Sequence, residues 1–166
     1  MKSSRPAVAL SLLLLAPVAA LAQETPDEAE ARPQAGPGRP LKIYISADME
    51  GVVGVVTDQQ LGPGGFEYER FREFMTAEVN ACIEAAREAG ATQIVVSDAH
   101  GNGQNLLIDR LPQDVTVVRS WPRPLGMMAG IDSSFDGAIL LGYHSSTTNE
   151  RGVRAHTFSS ANVTSV

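Results

Sequence analysis

The sequence is poor in thiols and imidazoles. One of its 166 residues is a cysteine, Cys82, and three are histidines, His100, His144 and His156. A lone cysteine excludes a disulfide framework and a cysteine-based zinc site within one chain. Cys82 also falls on the apolar stripe of a predicted helix, where a small buried core residue is expected rather than a reactive thiol.

Excess positive charge and several common catalytic motifs are missing too. The chain has 13 Lys and Arg residues against 19 Asp and Glu, which gives a net charge of −6 and argues against nucleic acid as a main partner. It has neither the Gly-x-Ser-x-Gly elbow of serine hydrolases nor the Gly-Lys-Ser/Thr of phosphate loops. Gly101-Asn102-Gly103 follows a predicted strand but lacks a third glycine, which disfavours the alternative of a nucleotide-binding Rossmann-like domain.

Residues 1–22 have the pattern of a signal peptide. Lys2 and Arg5 provide a positive start, residues 7–16 form an apolar core, and Ala20-Leu21-Ala22 fits a cleavage site. The core is about half of the ~20 residues that span a bilayer, so cleavage is favoured over the alternative of a membrane anchor. We therefore expect a periplasmic or secreted protein without a stable membrane anchor.

A linker and one domain follow the signal peptide. Residues 23–40 contain Pro26, Pro33, Pro37 and Pro40 among acidic residues and almost no large apolar side chain, which predicts a disordered tether. The domain is expected over residues 41–166.

The domain has the pattern of an α/β fold. Strands are predicted over 41–47, 93–97, 115–118 and 138–141, a long helix over 68–89, short helices over 105–111 and 125–129, and a possible last strand over 151–158. A strand, a long helix and a strand form a crossover that makes the two strands parallel. The sequence thus predicts an open, mostly parallel sheet with helices on both faces and ligands at the carboxyl ends of the strands.

Polar side chains follow three of the predicted strands. Asp48 and Glu50 follow the first, Asp98 and His100 the second, and His144 the fourth. The carboxyl ends of parallel strands meet at one edge of a sheet, where ligands bind. Carboxylates together with imidazoles suit zinc or manganese.

Each of these signals is weak when taken alone. Asp48 and Glu50 are also consistent with a solvated turn, and a histidine after a strand is often a surface residue. For Asp98, orienting His100 or capping the next helix is favoured over direct ligation. His156 is compatible with a nucleophile, a base or a charge stabiliser near a dinuclear site, and equally with a partly exposed histidine. Only the combination favours a metal site.

Several motifs in order resemble the zinc-dependent D-aminopeptidase family of metallopeptidases. They are IYISADMEGVVGV (43–55), the helix that contains Tyr68-x-Arg70 and Met75-Thr76-x-Glu78-x-Asn80, VVSDAHG (95–101), and LLGYHS (140–145) followed by His156. The resemblance runs from Leu41 to Val166, and together the motifs are more specific than any one of them.

The resemblance implies two zinc ions and a role for each matching residue. Asp48 would bridge the metals, Glu50 and His100 would complete one site, His144 would serve the other, and His156 would be the catalytic histidine. The family's last ligand is a glutamate that lies beyond the part matched here. We therefore expect the N-terminal portion of the family's domain, incomplete at its C-terminus.

The resemblance also implies an activity. The expected reaction is hydrolysis of N-terminal D-residues from short peptides by a zinc-activated water, in a protein that is a homo-oligomer when complete. The alternative is a non-catalytic periplasmic metal- or ligand-binding protein, or an inactive fragment.

Overall fold

A computed structural model describes residues 40–157 as one sheet with a long helix packed on it. Its elements are β1 (Leu41–Ala47), α1 (Tyr68–Glu88), β2 (Ala91–Asp98), β3 (Thr116–Val118) and β4 (Gly137–Leu141), with 3₁₀ helices at Asp58–Gln60, Ile108–Arg110 and Gly126–Met128. The signal peptide and residues 23–39 of the linker lie outside the described residues and stay predictions.

The strand order places a chain reversal at the centre of the sheet. The order is β3-β2-β1-β4 and all three strand pairs are parallel, with Ile45 of β1 paired with Val96 of β2 and Ile139 of β4. The chain moves outward from β1 to β3 and then returns to the other side of β1 for β4. The strand order therefore reverses between β1 and β4, and in open parallel sheets ligands bind at such a point.

The long helix covers one face of the sheet. Its apolar positions Phe71, Met75, Val79 and Ile83 recur with helical spacing, and all four are buried in the same core as strand residues Ile45, Ile94 and Val96. Phe74 lies at the margin of this stripe, 37% exposed. Cys82 is partly buried against the core, and burial raises its thiol pKa. Gly90, with φ +98°, ends the helix where a left-handed residue is favoured.

A short 3₁₀ helix and its following turn cover the opposite face. Ser46 and Ser97 donate hydrogen bonds to the carbonyl of Met127, at 2.9 and 3.0 Å, and the Tyr44 hydroxyl donates to the carbonyl of Ala129 at 2.7 Å. These strand hydroxyls pair with the backbone because an unpaired polar group in this layer would be costly. Helical structure thus lies on both faces, with the α-helix on one of them.

Two local predictions differ from the structure. The segments 105–111 and 125–129 contain 3₁₀ helices of three residues each, because Pro112 and the glycines around Met127 leave little room for an α-helix. The last strand predicted over 151–158 is wrong for residues 151–157, which form turns instead. Arg154 has φ +55°, which is incompatible with an extended strand. Within residues 40–157, no helix is long and apolar enough to cross a membrane.

Two glycines let the loops after β1 and β4 touch backbone to backbone. The amide of Asp48 donates to the carbonyl of Leu141 at 2.8 Å, and the amide of Gly51 to that of Gly142 at 2.7 Å. A Cβ at Gly142, where φ is +65°, would lie 2.3 Å from the Asp48 carbonyl oxygen, and one at Gly51 would lie 2.4 Å from that of Tyr143. Glycine at these positions keeps the two loops in contact.

We predict that Gly142→Ala lowers the free energy of unfolding by roughly 1–3 kcal/mol, because the new methyl group meets fixed backbone and the residue keeps a left-handed conformation. Urea denaturation monitored by circular dichroism measures the change. Gly62→Ala is the control, since nothing lies within 4 Å of a Cβ there. Equal midpoints for the two variants would contradict the close loop contact.

Candidate metal centre

Three side chains converge at the carboxyl ends of β1 and β2. Asp48, Glu50 and His100 each offer one ligand atom within 4.8 Å of the others. The His100 Nδ1 atom lies 3.2 Å from Asp48 Oδ1 and 2.8 Å from Glu50 Oε2. Asp48 and His100 are buried and Glu50 nearly so. Buried carboxylates need a compensating charge, and two carboxylates with an imidazole form a donor set that suits zinc.

The sheet register brings these residues together. Ala47 is paired with Asp98, and the amide of Ala99 donates to the Ala47 carbonyl at 2.8 Å, so the chain beyond β2 stays beside the chain beyond β1. β1 ends at Ala47, and Glu50 lies in the following turn rather than on an extended strand. The turn still directs its carboxylate toward His100.

The hydrogen bond of His100 Nε2 defines where the ring carries a proton. His100 Nε2 lies 2.7 Å from the Leu61 carbonyl, which can only accept, so Nε2 carries a proton. That bond orients the ring and leaves Nδ1 facing the two carboxylates. A histidine held through one nitrogen by a backbone carbonyl is the usual arrangement for a metal ligand.

The charges of the cluster are strongly coupled. Burial alone would lower the pKa of His100, but its hydrogen bonds with Asp48 and Glu50 outweigh burial and raise that pKa to about 10. Burial acts to raise the pKa of Glu50, yet its bonds with His100 and Asp48 hold it at about 2. The pKa of Asp48 is raised, chiefly by burial. A proton on His100 thus balances the carboxylates, in the place where a divalent cation would supply the charge.

His144 approaches Asp48 from the opposite side. Its Nε2 lies 3.8 Å from Asp48 Oδ2, whereas its Nδ1 donates to the Ser145 carbonyl at 2.9 Å. The nitrogen that faces Asp48 is therefore the one free to bind a cation. Asp48 presents Oδ1 to His100 and Oδ2 to His144, an arrangement in which one carboxylate can serve two adjacent cations.

His156 reaches the same site from the turn at 151–157. Its Nε2 lies 3.7 Å from Glu50 Oε1, and its ring stacks on His144 with centroids 3.5 Å apart and an interplanar angle of 17°. Its Nδ1 donates to the Arg154 carbonyl at 2.7 Å, and the Arg154 guanidinium pairs with Asp58. At 40% exposure its side chain is the most accessible of the three histidines.

Asp98 is turned away from the cluster. Its fully buried carboxylate accepts from the amides of Asn105 and Leu106, at 2.6 and 2.8 Å, and from the Asn105 side chain at 2.8 Å. The Asn105 side chain also donates to the His100 carbonyl at 2.6 Å and accepts from the Tyr68 hydroxyl at 2.8 Å. Asp98 therefore holds the loop that carries His100, through an asparagine that no sequence motif had identified.

A cleft of about 650 Å³ opens over the cluster. One wall is the segment that contains Trp121, Arg123 and Met127, and the other side is lined by Asp48, Glu50, His100 and His144. No sequence pattern indicated that wall, because Trp121 and Arg123 lie in a turn-rich segment without periodicity. The site therefore combines buried side chains that could hold a cation with room for a small molecule.

Known proteins resemble the chain across this region. A family model described as D-aminopeptidase matches residues 41–166. A D-aminopeptidase of Bacillus subtilis (strain 168) is 37% identical over 116 residues, which cover 70% of this chain and 42% of the relative. Among solved structures, the Zn-dependent D-aminopeptidase DppA from Bacillus subtilis, described as a self-compartmentalizing protease, matches with a TM-score of 0.69 and 36% identity over 71% of this chain and 43% of its own.

The chain spans less than half the length of these relatives. The family match nevertheless includes every element of the described sheet and all five residues predicted for the site, Asp48, Glu50, His100, His144 and His156. On the match over residues 41–166, the chain belongs to the D-aminopeptidase family.

Proposed function

We propose that the protein is a zinc-dependent aminopeptidase that removes N-terminal D-residues from short peptides. The observation that carries the proposal is the position of Asp48, whose two oxygens face His100 and His144 from opposite sides. The zinc dependence and D-aminopeptidase activity of the matched relatives support it.

The described residues offer donors for two zinc ions. Asp48 Oδ1, Glu50 and His100 Nδ1 would hold one ion, and Asp48 Oδ2 with His144 Nε2 would contribute to the other. Bound zinc supplies Lewis acidity toward a carbonyl and lowers the pKa of water. The buried carboxylates would hold the ions, and the cleft beside them has room for a short peptide.

His156 is proposed as the catalytic histidine. The Arg154 carbonyl accepts the Nδ1 proton, so Nε2 is the free nitrogen, and it lies 3.7 Å from Glu50 Oε1. An imidazole placed in this way can accept a proton at Nε2 from attacking water and return it to the departing amine. Its stacking on His144 restrains the ring at that position.

The location and assembly of the protein are part of the same proposal. We propose that it acts in the periplasm or outside the cell, because residues 1–22 have the pattern of a signal peptide. We propose a homo-oligomer in view of the relative described as self-compartmentalizing.

A hydrolysis assay tests the proposal directly. The zinc-loaded protein is incubated with D-alanyl and L-alanyl p-nitroanilides, and release of the chromophore is measured. We expect zinc-dependent turnover with a preference for the D-substrate. Zinc binding without turnover of either substrate would favour the alternative of a non-catalytic metal-binding protein.

We predict that Asp48→Asn weakens zinc binding at least about 100-fold, since the amide loses a charge and one of two ligand oxygens at the shared position. Competition with a zinc chelator measures the affinity. Asp109→Asn, which removes an exposed carboxylate outside the cleft lining, should leave the zinc affinity unchanged. Equal affinities for the two variants would remove Asp48 from the metal site.

We predict that His156→Ala lowers kcat by about 10²–10⁴-fold with unchanged zinc content, because the general base is lost while the ligands remain. Zinc is quantified by mass spectrometry alongside the kinetics. His156→Phe retains an aromatic ring to stack on His144 but has no nitrogen, so it should be equally inactive. If the phenylalanine variant retained turnover, the role of His156 would be packing.

A further inference from the structure

Arg123 lies in the cleft wall and forms no direct salt bridge among the described residues. Within residues 40–157, no carboxylate oxygen comes within 4.0 Å of its guanidinium, and the nearby Asp98 carboxylate is occupied by Asn105 and Leu106. Its Nε is buried and has no hydrogen-bond partner among the described residues. Burial lowers the pKa of Arg123, and the Asp98 carboxylate offsets this only through attraction without a direct bond. A carboxylate bound in the cleft would supply the direct ion pair that the guanidinium lacks.

The guanidinium is held rigidly in this wall. Its Nη2 donates to the Asp98 carbonyl at 2.5 Å and its Nη1 to the Val118 carbonyl at 3.3 Å, at the ends of β2 and β3. Its Cζ lies 4.1 Å from the ring centroid of Trp121, which is itself fixed by a 2.8 Å bond from Nε1 to the Gly101 carbonyl. Both contacts are to neutral backbone carbonyls, so the guanidinium is fixed in place without a direct ion pair among the described residues.

The charge shares one cleft with the cluster of Asp48, Glu50 and His100. A peptide in that cleft with its scissile bond at the cluster would place its far end along the wall. In a short peptide that end is a carboxylate, the anion that a guanidinium binds best.

We propose that Arg123 recognises the free C-terminal carboxylate of the peptide substrate. This inference rests on the proposed function, since it needs the peptide's scissile end at the metal cluster.

The test compares three peptides of one length, D-Ala-Ala, D-Ala-Ala-amide and D-Ala-Glu-amide, with the zinc-loaded wild-type protein. We expect kcat/KM for the acid to exceed that for the amide on the order of 10- to 100-fold. The glutamyl amide, whose only carboxylate is in a side chain, should resemble the simple amide. Equal values for acid and amide, or a glutamyl amide as good as the acid, would overturn the proposal.

Arg123→Gln separates recognition from structure, because glutamine keeps N–H donors for the carbonyls but removes the charge. For this variant, the ratio of kcat/KM for the acid to kcat/KM for the amide should fall toward one. Arg119→Met, which removes an exposed arginine outside the cleft lining, should keep the wild-type ratio. If kcat/KM fell for both the acid and the amide while their ratio stayed at the wild-type value, Arg123 would have only a structural role and the proposal would be overturned. If Arg123→Gln fails to fold, the acid-to-amide ratio of the wild-type protein decides.

Absence of any hydrolysis would count against the proposed function, and the inference is then judged by binding. Calorimetry with the zinc-loaded protein should show the acid binding about tenfold more tightly than the amide. Equal dissociation constants would overturn the role of Arg123 whatever the outcome for catalysis.

Discussion

The Asp48 carboxylate organises this end of the molecule. It is almost completely withdrawn from water, and its two oxygens face histidines that come from strands on opposite sides of β1. Burial of such a group is tolerable only when cations or protons neutralise it. Three features bring neutralising groups to Asp48: the sheet order, the loop contact at Gly51 and Gly142, and the orientation of both histidines.

All three histidines are held by the same kind of hydrogen bond. Each ring donates one N–H to a backbone carbonyl, at Leu61, Ser145 or Arg154, and presents its other nitrogen to a carboxylate. Backbone carbonyls cannot titrate or rotate away, so the free nitrogen is defined by the chain path itself. The loops around the cleft are thus part of the site's chemistry as well as its shape.

Much of the fold was predictable because its signals are local and periodic. The stripe from Phe71 to Ile83 and the apolar run at Ile94–Val96 depend only on burial, and the structure confirms the helix and the parallel strands they predicted. The longer helices predicted over 105–111 and 125–129 were mistaken because Pro112 and the glycines around Met127 limit helix length. The turns after Arg151 were missed because they depend on tertiary contacts, such as that of Gly152 with Ser145.

The site residues also divide into those that a sequence pattern predicts and those that only the folded chain shows. Asp48, Glu50, His100 and His144 follow strands, so their convergence follows from parallel topology. The approach of His156 depends on a turn in which Arg154 has a positive φ, and Asn105 acts through bonds to Asp98 and His100 that no spacing encodes. Arg123 and Trp121 were missed because a cleft wall is defined by shape, which only the folded chain reveals.

The part of the site that follows β2 and the part that follows β4 are joined to β1 across different lengths of chain. His100 is 52 positions from Asp48 and is joined to it through a single crossover helix. β4 closes against β1 across a much longer loop, as shown by Lys42 and Asp136, which bond at a separation of 94 positions. Longer closure carries the greater entropy cost. Fraying of β4 would release His144 and His156 while Asp48, Glu50 and His100 stay together, so the cluster of these three side chains is the more durable part of the site.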